Sequence, residues 1–242
     1  MSLHSAVILA GGLGTRLRSA VPDLPKPMAP IAGRPFLEYQ LDYWLAQGID
    51  HFILSVGYRH EVIIAHFGNR YRDARLDYVI ETSPLGTGGG VLLALDRLDA
   101  DQPFLLLNGD TYFSVDLAQL DQFAQASDSD WCFSLFRTTE TSRYLGMGVT
   151  PSGRISELKS SQDGAECLAN GGVYRVRPHA LRGLLSQDRK SFEPGIAASL
   201  ENDIFPSAFA AGQRMFGMEF KGSFIDIGIP GDYHRAATIL NV

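Results

Sequence analysis

Val7-Ile8-Leu9-Ala10-Gly11-Gly12-Leu13-Gly14-Thr15-Arg16-Leu17-Arg18, with Pro25-Lys26-Pro27 close behind, is the stretch from which the rest of the chain can be read. Ala6 to Ala10 is an uninterrupted apolar run of strand length, the pattern of a strand buried on both faces. Three glycines within four residues end it. Glycine lets a backbone turn sharply and lets another group approach bare amides. A turn of successive N–H groups makes a concavity that attracts anions. Arg16 follows at once, and Lys26 stands in a stiff Pro-Lys-Pro frame. Bare amides beside two fixed cations are chemistry for a polyphosphate.

The run matches neither familiar phosphate loop. G-x-x-x-x-G-K-[ST] is absent, and Leu17 replaces the third glycine of G-x-G-x-x-G. Beyond it, strand and helix signals alternate. Phe36 to Leu45 carries an apolar face behind Pro35, a residue suited to the first turn of a helix. His51–Val56, Leu76–Glu81 and Phe104–Leu107 read as strands. Arg59–Ala65 reads as a short helix, Ser83–Gly90 leads into a helix through Leu98, and Asp116 caps a helix to about Ala126. This order predicts an α/β fold, Rossmann-like, with a mixed, mostly parallel central sheet flanked by helices. In such sheets ligands bind at the carboxyl ends of the strands. The glycine turn, Glu81 with its loop, and Asn108-Gly109-Asp110 all follow such ends, so three polar features are expected to meet in one crevice.

Beyond about residue 130 the chain is richer in β signals. Trp131–Arg137, Gly148–Thr150, Arg154–Lys159, Gly171–Arg177, Met215–Phe220 and Phe224–Ile227 read as strands. Pro178–Leu185, Leu200–Ala211 and Pro230–Leu240 read as helices, with Pro206 a possible break. Gln187–Glu193 reads as exposed and mobile. We therefore expect one domain over 1–242, with a nucleotide-binding half to about residue 130 and a smaller β-rich, sugar-binding half after it.

Composition narrows the setting. The 242 residues suffice for one sizeable core. A formal net charge of −6 disfavours a nucleic-acid polymer as partner but permits a small anionic substrate in a locally positive cleft. Two cysteines without motif spacing suit a reducing compartment. The first residues, Met1-Ser2-Leu3-His4, lack the basic and apolar regions of a signal peptide, and no apolar run is long enough for a bilayer. A cytoplasmic protein without membrane contact is expected. Association into a homo-oligomer is left open.

Two aspartates stand out in the later motifs. Asp110 follows a buried strand, and Asp226 lies in Phe224-Ile225-Asp226-Ile227-Gly228, flanked by apolar residues. A buried carboxylate needs a cation, a metal or several donors. Together the two suit Mg²⁺, which prefers carboxylate oxygens and fills its remaining positions with water and phosphate. Glu81 ends a strand before Pro84-Leu85-Gly86-Thr87. An ionised Glu only accepts hydrogen bonds. Guanine offers N1–H and N2–H₂ side by side and the pyrimidines do not, so Glu81 is expected to favour guanine by about 1.5–3 kcal/mol per bond.

The combination resembles the sugar-nucleotide pyrophosphorylases, the nucleotidylyltransferases that join a nucleoside triphosphate to a sugar 1-phosphate. Their glycine turn, T-R-L and P-K-P stand here as GGLGTRL and PKPMAPIAGRPF, and further matches run from Val7 to about Ala237. The resemblance implies that Leu9, Ala10, Gly11, Gly12, Gly14 and Thr15 surround the base and phosphates. Glu81, Pro84, Gly86, Thr87 and Asn108 would complete the nucleotide site. It implies catalytic roles for Arg16 on the leaving pyrophosphate, Lys26 on the reacting phosphate, and Asp110, with Asp110 and Asp226 as magnesium ligands. Gly146, Lys159, Asn170, Gly171 and Gly172 would contact the sugar. Among its branches, the match is fullest to one that transfers guanylate to a heptose 1-phosphate. Mannose-1-phosphate guanylyltransferases and muramate-type 1-phosphate uridylyltransferases share much of the pattern.

One departure matters. Many relatives carry F-x-E-K-P, whose Glu and Lys handle the sugar phosphate, but the corresponding positions here are Ser160 and Ser161. Either Lys159 or Arg175 takes over, or the sugar phosphate is held differently. Two other classes remain. Asp99-Ala100-Asp101 and Asp128-Ser129-Asp130 fit the loose D-x-D pattern of metal-dependent glycosyltransferases, and a silent nucleotide-sugar-binding protein would keep the fold without the chemistry.

Overall fold

The computed structural model describes residues 3–140, 143–159, 166–187, 192 and 195–242, with the backbone alone for residues 159 and 187. In chain order it runs β1 (Ser5–Ala10), β2 (Pro30–Ile31), β3 (Arg34–Pro35), α1 (Phe36–Leu45), β4 (His51–Val56), α2 (His60–Phe67), β5 (Arg70–Tyr71), β6 (Ala74–Ile80) and α3 (Gly86–Ala94). Then come β7 (Phe104–Asn108), β8 (Thr111–Phe113), α4 (Leu117–Ala126), β9 (Trp131–Thr138), β10 (Gly146–Val149), β11 (Ile155–Lys159) and β12 (Cys167–Val176). The chain closes with α5 (Pro178–Gln187), a π turn at Leu200–Ile204, α6 (Phe205–Ala210), β13 (Met215–Glu219), β14 (Phe224–Asp226) and α7 (Pro230–Leu240).

The glycine-terminated first strand is at the centre. β1 pairs in parallel with β4 on one side and β7 on the other, and β4 pairs in parallel with β6. Side chains alternate across a strand, and here the alternation separates two cores. Ala6, Ile8 and Ala10 join Leu37, Leu41, Trp44, Ile63 and Leu120 from α1, α2 and α4. Val7 joins Val91, Leu92, Leu181 and Phe205 from α3, α5 and α6 on the other face. Both faces are covered, which is why β1 has to be apolar throughout. Each fully buried Leu, Ile or Val contributes about 1.5–3 kcal/mol.

The later half extends the same sheet. β12 runs antiparallel to β7 and to β9, and β10 joins it to β11. β13 lies parallel to β9, and the bridge Arg154–Phe216 brings the far edge back towards β13. The two halves of the chain therefore share one sheet. Phe224–Ile227, which reads as a strand, is one, but three short pairings escaped the sequence reading, because partners of two or three residues carry no periodicity. One of them is decisive: β14 pairs antiparallel with β8, setting Asp226 opposite Thr111.

One expectation needs adjustment. The helix expected over Leu200–Ala211 is a π turn that passes into α6, and Phe205 N donates to Leu200 O. The change of register falls immediately before Pro206, which has no N–H to continue an α ladder. The segment 187–193, read as exposed, lies almost entirely outside the described residues. Among the described residues no helix is long and apolar enough to cross a membrane.

Candidate active site

The turn after β1 is held from below. Gly14 adopts a left-handed conformation (φ 59°) and accepts a 3.0 Å hydrogen bond from Leu17 N. Leu17 is buried with Phe36, Ile225 and Ile227 in a third apolar cluster. That anchor leaves Thr15 and Arg16 exposed. Gly11 is required for a different reason. A Cβ there would lie 2.0 Å from Glu81 Oε1, so the Glu81 carboxylate rests directly on the turn. The carboxylate accepts from Ser55 Oγ and from Leu85 N, both at 3.1 Å. One acceptor position on each oxygen is left for a ligand.

Lys26 opens a short 3₁₀ turn behind extended Pro25. Its ammonium forms an ion pair with Asp110 Oδ2 and lies 3.9 Å from Asp226 Oδ1. β8–β14 pairing and the bond from Ile227 N to Asp110 O, 2.9 Å, put the two aspartates side by side. Burial pushes the Asp110 carboxyl up, but the Lys26 ammonium outweighs it and holds the group below the usual range. Burial and the neighbouring charge of Asp110 raise the Asp226 carboxyl, against the pull of Lys26. One ammonium thus faces two carboxylates that repel each other.

These groups line a single cleft of about 630 Å³ walled by both halves of the chain. Its lining includes Leu9, Ala10, Gly11, Gly12, Gly14, Thr15, Arg16, Lys26, Glu81, Pro84, Gly86, Thr87, Asn108, Asp110, Asn170, Gly171, Gly172 and Asp226. All three polar features therefore meet at the strand ends, as expected. The wall at Asn170–Gly172 comes from a bulge: β12 shifts register against β9 between Asn170 and Tyr174. Bulges commonly re-aim a strand beside a site. Asn170 stabilises this one, donating from Nδ2 to Tyr174 Oη at 2.7 Å and accepting from Gly172 N at 3.1 Å.

Other expected residues fall elsewhere. Gly146 is buried in β10 and lies outside the cleft, whose wall is formed by Tyr144 and Leu145 before it. Arg175 is displaced further. It is buried, ion-paired with Asp121 at 3.2 Å, and does not line the cleft. Alternation along β12 turns it away from the wall at Asn170–Gly172. The Lys159 side chain, Ser160 and Ser161 lie outside the described residues. Neither D-x-D triplet lines the cleft. Asp101 N donates to Asp99 Oδ1 in a local turn, and Asp128 and Asp130 pair with Arg214.

Two charged residues in the wall were missed: Arg143 and Glu201. Arg143 stands three residues before Gly146, and only its long-range ion pairs reveal it. Glu201 sits in the π turn, accepting from Thr87 Oγ1 at 3.3 Å and Ser199 Oγ at 3.1 Å. Among the described residues, three cations (Arg16, Lys26, Arg143) line the cleft against four carboxylates (Glu81, Asp110, Glu201, Asp226). Among the described residues no group of three or more His, Cys, Asp or Glu side chains forms a metal cluster. The donors that a hard cation could use here are the Asp110 and Asp226 oxygens, and the rest of its shell would come from water or a bound anion.

A sheet-end glycine turn with cations and paired aspartates is the architecture of nucleotide-transfer enzymes, and this chain belongs to the nucleotidyl transferase family, whose model matches residues 5–241. The chain is 40% identical over 231 residues to the D-glycero-alpha-D-manno-heptose 1-phosphate guanylyltransferase of Aneurinibacillus thermoaerophilus, covering 96% of each chain. It is 34% identical to the protein of the same description from Campylobacter jejuni, with 95% of this chain and 97% of that one covered. The crystal structure of HddC from Yersinia pseudotuberculosis complexed with GMP-PN superposes with a TM-score of 0.80 at 31% identity, covering 98% of this chain and 99% of that one.

Proposed function

We propose that this chain transfers guanylate from GTP to a sugar 1-phosphate, D-glycero-D-manno-heptose 1-phosphate, giving a GDP-sugar and pyrophosphate. One observation carries the reading: Arg16, Lys26, Asp110 and Asp226 line one cleft at the tip of β1, although they come from distant parts of the chain. The choice of guanine and heptose rests on the relatives of that description and on Glu81, whose remaining acceptor positions suit the N1–H and N2–H₂ edge of guanine.

The reacting groups are both anions, so alignment and charge neutralisation are the main tasks. An oxygen of the sugar phosphate attacks the α-phosphorus in line, the bond to the β-phosphate oxygen breaks, and pyrophosphate leaves with that electron pair. The attacking phosphate is already ionised near neutral pH and needs no general base. Arg16 takes charge from the leaving pyrophosphate, and Lys26 holds the α-phosphate and the incoming oxygen. The described lining has one more carboxylate than it has cations, too little positive charge for two phosphate esters. Asp110 and Asp226 therefore suit Mg²⁺, which would supply the missing positive charge when bound. We place the reaction in the cytoplasm, where nucleoside triphosphates and reduced thiols coexist.

The test is a panel of four nucleoside triphosphates against heptose, mannose and N-acetylmuramate 1-phosphates, with and without Mg²⁺, scored by pyrophosphate. GTP with the heptose ester should give the highest kcat/KM. A preference for UTP would overturn the guanine assignment. Release of a nucleoside diphosphate from a sugar nucleotide would instead mark a glycosyltransferase, and no turnover across the panel would mark a silent binder.

A further inference from the structure

Arg143 emerges between β9 and β10 and lines the cleft beside Tyr144, Leu145 and Asp226. It is well packed, with a side chain only 16% exposed, and its guanidinium carbon lies 4.9 Å from the Tyr144 ring centroid. Its two terminal nitrogens have different tasks. Nη1 is committed to an ion pair with Asp232, a buried residue in the first turn of α7. Nη2 donates to the Asp226 carbonyl at 3.1 Å and lies 3.2 Å from Asp226 Oδ2, both near the long end of the hydrogen-bond range. Nε is buried and has no hydrogen-bond partner among the described residues.

That pattern is specific. The Nε–Nη2 edge of a guanidinium is a planar fork that matches two oxygens of a carboxylate or phosphate. Arg137 uses this edge fully in the same protein, donating from Nε and Nη2 to the two oxygens of Glu219 at 2.8 and 3.0 Å. In Arg143 half of the edge is unused, and an unpaired buried donor costs about 1–3 kcal/mol. The fork is anchored from behind by the Nη1–Asp232 ion pair.

The other cations stand on the nucleotide side of the cleft or outside it. Arg16 stands on the glycine turn, where a nucleotide's phosphates would lie, and Lys26 is held between Asp110 and Asp226. Arg175 faces Asp121 outside the cleft. The family's usual sugar-phosphate lysine corresponds to Ser161. Of the three cations in the described lining, Arg143 alone comes from the half that carries Tyr144–Leu145 and Asn170–Gly172.

We propose that Arg143 is the residue that grips the phosphate of the sugar 1-phosphate, its Nε–Nη2 edge exchanging the Asp226 contact for two phosphate oxygens. The inference rests on the proposed reaction. It adds that the sugar-phosphate cation of this chain is supplied from the loop before β10 in place of the Glu-Lys pair. The exchange also frees Asp226 Oδ2 when the sugar ester arrives.

The test compares Arg143→Met and Arg143→Lys with the wild type in full initial-rate kinetics, varying GTP and heptose 1-phosphate separately. Calorimetric titration of heptose 1-phosphate and of free heptose accompanies the kinetics. Arg143→Met should raise KM for the sugar 1-phosphate at least tenfold and leave KM for GTP within about twofold, since a charge-assisted bond is worth about 1.5–3 kcal/mol. Arg143→Lys, which keeps a charge for Asp232, should recover part of the loss and preserve folding. Binding of free heptose should not change. An unchanged sugar-phosphate KM with a lower kcat and a raised Mg²⁺ requirement would make Arg143 a strut for Asp226 and overturn the proposal. An inactive wild type would defeat the proposed reaction itself, and the titration would still report whether Arg143 contributes to binding of the phosphate ester.

Discussion

Gln40, buried in α1, donates its amide to the backbone carbonyl of Asn108 at 2.9 Å, and the same nitrogen reaches the carbonyl of Thr111. A side chain from the first helix thus braces both ends of the turn that presents Asp110. Gln40→Leu removes the donor and leaves two carbonyls short of a partner. It also removes the unpaired Gln40 Oε1, which offsets part of the cost. We expect a loss of about 1–3 kcal/mol in urea unfolding and a fall in kcat larger than the change in either KM. Wild-type kcat in the folded variant would show that the turn holds itself.

The contact between Gly11 and Glu81 predicts a steric effect with a chemical consequence. The Cβ of Gly11→Ala would collide with the Glu81 carboxylate and drive it off Ser55 and Leu85. The variant should fold and bind GTP at least tenfold more weakly, the size of losing one charge-assisted bond of about 1.5–3 kcal/mol. Glu81→Gln should weaken use of GTP more than use of UTP. Equal losses for both nucleotides would remove Glu81 from base selection.

Arg16 and Lys26 are expected to act on the transition state. Arg16→Ala and Lys26→Ala should each lower kcat about 100- to 1,000-fold, the scale for removing one fixed charge-stabilising donor, with melting temperatures close to wild type. Asp110→Ala should fall in the same range. Near-normal pyrophosphate release by Lys26→Ala would exclude that residue from the mechanism.

An acid-stability prediction comes from Asp130, far from the cleft. It is buried and accepts 2.8 Å hydrogen bonds from both Arg214 N and Arg214 Nη2. Burial pushes its carboxyl up, but the Arg214 bonds outweigh burial and hold it below the usual range. A carboxyl lowered by folding stabilises fully above its unfolded value of about 3.9 and loses that contribution as the pH falls through its folded value. Asp130→Asn should therefore be less stable than wild type at pH 7, with the gap narrowing below about pH 3.9. Urea midpoints at several pH values would measure this, and a gap independent of pH would contradict it.

Cys132 gives a simple check on the core. It is buried in β9, and burial pushes its thiol up to about 12. It should not react with a disulfide reagent at pH 8 while the protein is folded and should react once guanidinium unfolds it. Rapid labelling of Cys132 in the native state would mean that the β9 environment opens readily.

Much of this protein is written locally. The apolar run to Ala10, the glycines after it and the alternation of strand and helix fix a covered sheet with ligands at its strand ends, because periodicity and turn chemistry act over a few residues. Those signals suffice to nominate Arg16, Lys26, Glu81, Asp110 and Asp226. Short pairings such as β8–β14 are not legible, since three residues show no period, and they set Asp226 beside Asp110. Arg143 and Arg175 make the same point as a pair. Both are arginines near motifs of the second half, and only the direction of a side chain across a strand, or of a loop into a cleft, decides that one faces Asp226 and the other Asp121. Sequence determines which groups are available and which elements carry them. Which charges share one cleft depends on contacts between distant segments, and those form only when the sheet closes its two halves on one another.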